Sequence, residues 1–386
     1  ERSGLKPPTS NLEQPGALSS CGNQLLDQIE NIMKVSLSWL NDYIDIQMDA
    51  ADLADALTMA GLEVDSVSNR YAYLKTVFVG RVAEVSPHPN ADKLTLCRVD
   101  MGDRSCKVVC GAPNVSAGML APMALPGTVL PNGTRLKKSL IRGETSEGML
   151  CSEKELGLGV DGSGILALDP SLEVGDHLAE ALGLEDTVLE LDLTPNRPDC
   201  LSVIGIAREI AAIQNTPLIY PDYSLIDKKD VISGITSVKI EAPDHCPRYS
   251  ARLVETIEVK PSPFWIQDRL LSVGLRPINN IVDITNYVLM ETGQPLHAFD
   301  FDQLAQNRIV VDTAAEGDTF VTLDDKERQL SSRMLMICDG EKQVAVGGVM
   351  GGLNSEIEDT TRRVLIEGAY FNPVSIRKTS KTLGLS

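Results

Sequence analysis

Two polar clusters carry side chains able to do chemistry. Asp283-Ile284-Thr285-Asn286-Tyr287-Val288 is followed, ten residues on, by Gly293-Gln294-Pro295-Leu296-His297-Ala298-Phe299-Asp300. Histidine has the ordinary pKa nearest neutrality, so His297 can orient a water or a ribose hydroxyl. Thr285, Asn286 and Gln294 add donors and acceptors around it. A structural histidine beside a proline turn uses the same residue types, and both readings stand at this point. Farther on, Gly347-Gly348-Val349-Met350-Gly351-Gly352 precedes Val364-Leu365-Ile366-Glu367. Glycines permit close backbone approach, and an acid ending an apolar run is costly without a partner. Glu367 therefore calls for an arginine, a helix end or a ligand hydroxyl. No GxxxxGK[ST] string is present, so the glycines are not a P-loop.

A different chemistry is suggested upstream. His88-Pro89-Asn90-Ala91-Asp92-Lys93-Leu94 joins two turn-forming pieces into a rigid corner, where Asp92 can satisfy loop amides and Lys93 projects a cation. The net charge of -19 counts against a nucleic-acid partner, but phosphate binding depends on where the cations lie. Between Arg98 and Arg142, seven cations face only Asp100 and Asp103, leaving that stretch at +5. Arg98, Lys107, Arg135, Lys137, Lys138 and Arg142 are the candidate phosphate contacts, and an ordinary solvated face is the competing reading. Phe78 is the lone aromatic from Val77 to Leu168, so shape and phosphate recognition are expected over base stacking.

These residues need elements to hold them. Asp49 to Gly61 reads as a capped helix with Leu53, Ala56, Leu57 and Ala60 on one stripe. From Val77 to about Leu168, short apolar runs broken by Gly, Pro and Asn predict a small barrel. A helix follows from Asp199, taken as its cap, to Ile213. Ser262 caps another with Pro263 at the first helical position and Ile266, Leu270 and Val273 buried. Strands are expected at RIVVDTA, RMLMICDG, KQVAVGGV and RRVLIEGAY. The eight cysteines form no CxxC pair, which argues against a zinc ribbon, and the metal expectation is none. No run approaches a membrane span of about 18 apolar residues, and no signal peptide is evident. Residues 1–32, rich in Pro, Ser and Gly, read as a non-family or disordered extension.

Several strings resemble a known family. His88 to Leu94, Cys110-Gly-Ala-Pro-Asn114 and Ser146-Glu-Gly-Met-Leu-Cys-Ser152 resemble, in order, the tRNA-binding barrel shared by several synthetases. Thr194-Pro-Asn-Arg-Pro-Asp-Cys-Leu-Ser-Val-Ile-Gly-Ile-Ala-Arg-Glu209, with KVSLSWL near residue 34, resembles bacterial phenylalanyl-tRNA synthetase beta subunits. The resemblance implies an α+β multidomain fold. An OB-fold barrel (73–184) is inserted in a small α/β domain (33–72 and 185–225), and a mixed α/β editing domain (226–386) follows, incomplete at its C-terminus.

It further implies tRNA binding and hydrolytic editing of tyrosine misattached to tRNA(Phe), with Thr285, Asn286, His297, Gly351 and Glu367 lining the pocket. Glu367 would accept a hydrogen bond from the tyrosine hydroxyl, and a Thr-bearing segment beyond Ser386 would complete the wall. The partners implied are an alpha subunit in an alpha2beta2 tetramer and tRNA(Phe), in the cytoplasm, with no membrane and no DNA. ATP and Mg2+ would serve aminoacylation in the alpha subunit, with none bound here. The competing function is a non-enzymatic tRNA-binding module.

Overall fold

The computed structural model describes residues 32–221, 223 and 232–385. The reading of 1–32 as an extension lies outside these residues, apart from Ile32, which opens the first strand. The chain divides into two compact units, one holding 32–221 with 258–296 and the other 232–257 with 297–385. Among the described residues, no helix is long and apolar enough to cross a membrane.

The larger unit begins with β1 (Ile32–Ser36), α1 (Leu37–Leu40), α2 (Ala50–Met59) and β2 (Glu63–Asn69). Asp49 caps α2 by accepting from the amides of Ala51 and Asp52. Its buried face is Leu53, Ala54 and Leu57, whereas Ala60 is exposed, because the helix ends at Met59 and the chain turns away at Gly61. Seven strands follow: β3 (Val77–Pro87), β4 (Thr95–Asp100), β5 (Ser105–Cys110), β6 (Leu120–Ala124), β7 (Ser139–Ile141), β8 (Glu144–Ser146) and β9 (Met149–Leu150). Five of them form an antiparallel sheet in the order β5-β4-β3-β6-β9. The sheet curls back on itself: Glu147 N donates to Lys107 O at 2.8 Å and Val109 N to Ser146 Oγ at 3.1 Å. The result is a nearly closed, barrel-like sheet around Val82, Cys97, Val99, Val108 and Met123.

After the short α3 (Leu178–Ala181), β10 (Thr187–Asp192) enters between β1 and β2 as the centre of a three-stranded sheet. The barrel is thus looped out between two neighbouring strands of another sheet. Next comes α4 (Val203–Gln214), whose cap is Ser202, accepting from Gly205 N. Asp199 sits one turn earlier in a 3-10 segment, where Arg197 engages it, and so does not cap. The helices α5 (Phe264–Ser272) and α6 (Asn280–Thr292) complete this unit. Pro263 rather than Ser262 is the α5 cap position, because the Ser262 hydroxyl donates to the buried carboxylate of Asp283 at 2.5 Å. Ile266, Leu270 and Val273 are buried as their spacing predicts.

The smaller unit contains two main sheets. β11 (Ser237–Ile240), β14 (Arg308–Thr313), β17 (Leu335–Cys338), β18 (Gln343–Val346) and β19 (Met350–Gly351) form one; β12 (Arg248–Glu255), β20 (Arg363–Tyr370) and β13 (His297–Asp300) form the other. A hairpin of β15 (Thr319–Val321) and β16 (Glu327–Gln329) and the helix α7 (Pro373–Leu383) are added. Phe299, Phe301, Ile309, Val311, Leu335 and Leu365 build its main core.

Candidate functional site

β20 is the central strand of its sheet, so both neighbours present side chains beside Glu367. The register sets Ala251 of β12 directly opposite on one side and His297 of β13 on the other. Facing residues in antiparallel strands point to the same side of the sheet. Ala251, Glu367 and His297 therefore form one row across three strands. Glu367 is 7% exposed, and its Oε2 accepts a 2.6 Å hydrogen bond from the Tyr249 hydroxyl. Desolvation pushes the carboxyl up to about 7, with the Tyr249 hydrogen bond acting in the opposite direction. The imidazole of His297 is held down to about 4 by its burial, which disfavours the charged form. It packs edge-on to Phe299, with ring centroids 4.5 Å apart.

The glycine run lies against this row. Gly348, at φ +67°, forms the turn between β18 and β19, with Val349 N donating to Val346 O. Gly351 passes so close to His297 that a β-carbon there would lie 2.8 Å from Cε1. The close approach expected of these glycines is made to the imidazole, and the backbone forms a wall beside it. His297, Gly351 and Glu367 are therefore brought together, with Tyr249 as a fourth member that the sequence reading missed. Thr285 and Asn286 lie on α6 in the other unit, where the Thr285 hydroxyl bonds the Val282 carbonyl at 2.7 Å.

On the barrel, all seven candidate cations are exposed. Three have carboxylate partners from neighbouring strands or turns: Arg98 with Glu84, Lys107 with Glu144 at 2.5 Å, and Lys138 with Glu147 at 2.8 Å. Pairing across strands thus supplies acids that the linear count from Arg98 to Arg142 left out. Among the described residues, Lys93, Arg135, Lys137 and Arg142 have no ion-pair partner. The corner at 88–94 is fixed by His88 and Asn90 rather than Asp92. His88 Nδ1 accepts from Asn90 N, His88 Nε2 lies 3.1 Å from Ile141 O, and Asn90 Nδ2 donates to Arg142 O at 3.0 Å. Arg142 and Gly143 both have positive φ in the two-residue loop joining β7 and β8. Two loops bearing free cations, Lys93 and Arg142, are thereby tied together. Phe78 packs tilted against His177 with ring centroids 4.6 Å apart and lies against the barrel core, so it is no platform for bases.

Among the described residues, one cluster has metal-ligand residue types. The ligand atoms of Asp199, Cys200 and Glu209 lie within 4.8 Å of one another. The Arg197 guanidinium pairs with both carboxylates at 2.8 Å and supplies the positive charge itself. Cys106 and Cys110 are both buried on strand β5, and among the described residues no histidine joins them in such a cluster.

Residues 245–386 match the B3/4 domain family, and 77–177 match a family described as a tRNA binding domain. Over 354 residues the chain is 52% identical to the phenylalanine--tRNA ligase beta subunit of Syntrophus aciditrophicus, covering 92% of this chain and 44% of that one. With the same subunit of Syntrophotalea carbinolica, identity is 51% over 353 residues at the same coverages. This chain belongs to the phenylalanine--tRNA ligase beta-subunit family. It spans somewhat under half the length of the curated family members that it matches. The B3/4 match includes Tyr249, His297, Gly351 and Glu367, and the tRNA binding match includes every candidate barrel cation. An N-terminal fragment of the Pyrococcus horikoshii phenylalanyl-tRNA synthetase beta subunit is 17% identical, covering 50% of this chain and 58% of its own, with a TM-score of 0.29. That similarity is too low to define a shared fold.

Proposed function

We propose that this chain serves a phenylalanine--tRNA ligase by holding tRNA(Phe) and hydrolysing tyrosine wrongly esterified to it. The observation that carries this reading is a buried Glu367 carboxylate without a cationic partner, walled by His297, Gly351 and Tyr249. Burying such a group costs folding free energy, which a ligand hydroxyl can offset. A site built to bond a hydroxyl rejects the analogue lacking it far more strongly than an apolar pocket rejects an added hydroxyl. Glu367 accepts from the tyrosine phenol, and phenylalanine offers nothing in return. Water attacks the ester carbonyl carbon, the bond from that carbon to the ribose oxygen breaks, and the ribose oxygen takes up a proton. With its pKa near 4, His297 is neutral at pH 7 and can accept a hydrogen bond from that water.

The assignment divides the chain into a small α/β domain (33–72 and 185–225), an OB-fold barrel (73–184) and an editing domain (226–386). Lys93, Arg98, Lys107, Arg135, Lys137, Lys138 and Arg142 are the RNA-facing cations, with the four unpaired ones contributing most. ATP-dependent aminoacylation, with its Mg2+, belongs to the alpha subunit of a cytoplasmic alpha2beta2 assembly. The test is release of tyrosine from tyrosyl-tRNA(Phe). Release by a version extended past Ser386, and its loss in Glu367→Ala and His297→Ala, supports the reading; equal rates in all three reject it.

A further inference from the structure

Glu367 has two carboxylate oxygens, and they are not equivalent. Oε2 is taken by the Tyr249 hydroxyl at 2.6 Å, while Oε1 has no hydrogen-bond partner among the described residues. The strand register explains how Tyr249 reaches it. Tyr249 of β12 faces Ala369, two positions beyond Glu367 on the same side of the sheet. The residue directly opposite Glu367 is Ala251, whose methyl group leaves room for the ring to cross diagonally. On the other flank stand His297 and the Gly351 wall. The free oxygen, the imidazole and the glycine backbone thus border one space, and the phenol of Tyr249 closes the opposite side of the carboxylate.

We propose that Tyr249 is a positioning residue for substrate selection: its hydroxyl locks Glu367 by Oε2, aims Oε1 at the substrate phenol, and keeps the carboxylate an acceptor. This inference rests on the editing reading above and goes beyond it, since it gives a specificity role to a residue that the family resemblance does not assign. Burial favours the protonated acid at Glu367, and the Tyr249 hydrogen bond opposes it. The titratable groups facing Glu367 are Tyr249 and Cys246 on the β12 side and His297 on β13. Burial raises the Tyr249 phenol far above its ordinary range and the Cys246 thiol to about 11, while His297 is held near 4. All three are neutral around pH 7, which leaves Glu367 as the group that titrates there.

The experiment is steady-state hydrolysis of tyrosyl-tRNA(Phe) by the beta subunit extended past Ser386, from about pH 5.5 to 9, for wild type, Tyr249→Phe, Glu367→Gln and the double variant. Tyr249→Phe keeps the ring and its packing, and thermal unfolding verifies that it folds. The expected result is an acid limb moved to higher pH, with kcat/KM at pH 7 down about tenfold, mainly through KM. Because Tyr249 acts through Glu367, the double variant should lose no more than Glu367→Gln alone. A Tyr249→Phe profile matching wild type, a gain in rate, or additive losses would overturn the proposal while leaving the editing reading intact. If wild type releases no tyrosine, the editing reading falls and the proposal falls with it.

Discussion

On the barrel, Arg98, Lys107 and Lys138 stand in solvent, each beside a carboxylate brought in by a neighbouring strand or turn. In the smaller unit, the buried Glu367 and the half-buried His297 face each other on neighbouring strands without an opposite charge between them. Water screens the first arrangement, so each exposed pair is worth little and its neighbours tolerate change. The second is costly to fold and is retained where a ligand can supply the missing partner. In the proposed reading, the mark to look for on the barrel is a cation left unpaired, and in the smaller unit a charge that burial has suppressed.

The largest effect should come from the floor of the buried row. Phe299 is fully buried and supports the His297 ring, so Phe299→Ala should cost about 3–5 kcal/mol in chemical denaturation, far more than any barrel cation. A loss below about 1 kcal/mol would mean that the row has no rigid base.

Next is a pH effect specific to the buried pair. Glu367 binds its proton more tightly folded than unfolded, so its contribution is present at low pH and is lost as pH rises from 4.5 to about 7. His297 binds its proton less tightly when folded, so its contribution is lost as pH falls from 6.5 to about 4. Between 4.5 and 6.5 the two slopes oppose, and this site should add little pH dependence in wild type. His297→Ala should expose a stability that falls with rising pH, and Glu367→Gln one that rises, each by at most about 1.4 kcal/mol per pH unit. Urea titrations across this window check both signs, and unchanged slopes would remove the contrast with the barrel.

Smaller effects are expected on the barrel. Lys93→Ala and Arg142→Ala should each lower the salt slope of tRNA binding by about one, because neither has a local carboxylate to release. Replacing Arg98, Lys107 or Lys138 together with its paired acid, Glu84, Glu144 or Glu147, should change affinity least, within about 1 kcal/mol, because each exposed pair presents no net charge to phosphate. The reverse ranking in binding isotherms across salt concentrations would break the division into paired and unpaired cations.

What the sequence reveals follows the range of the interactions. The Asp49 cap, the buried stripe of α5, and strands β14, β17, β18 and β20 rest on neighbours a few residues apart, so periodicity and capping disclose them. Glu367 is legible for the same reason: an acid within an apolar strand stands out. Tyr249 is not, because its bond to Glu367 spans 118 positions and depends on a register that neither strand states alone. The acids that neutralise Arg98, Lys107 and Lys138 were hidden likewise, lying 14, 37 and 9 positions away. At α4 two capping residues, Asp199 and Ser202, compete within one turn, and the Arg197 ion pair decides between them.

The most direct test of the account is the ratio of tyrosine to phenylalanine release from tRNA(Phe) charged with each, measured side by side for wild type and Glu367→Ala. Wild type should strongly prefer tyrosine, and the variant should fall toward equal rates through loss of tyrosine release alone. A ratio unchanged by the substitution would contradict it.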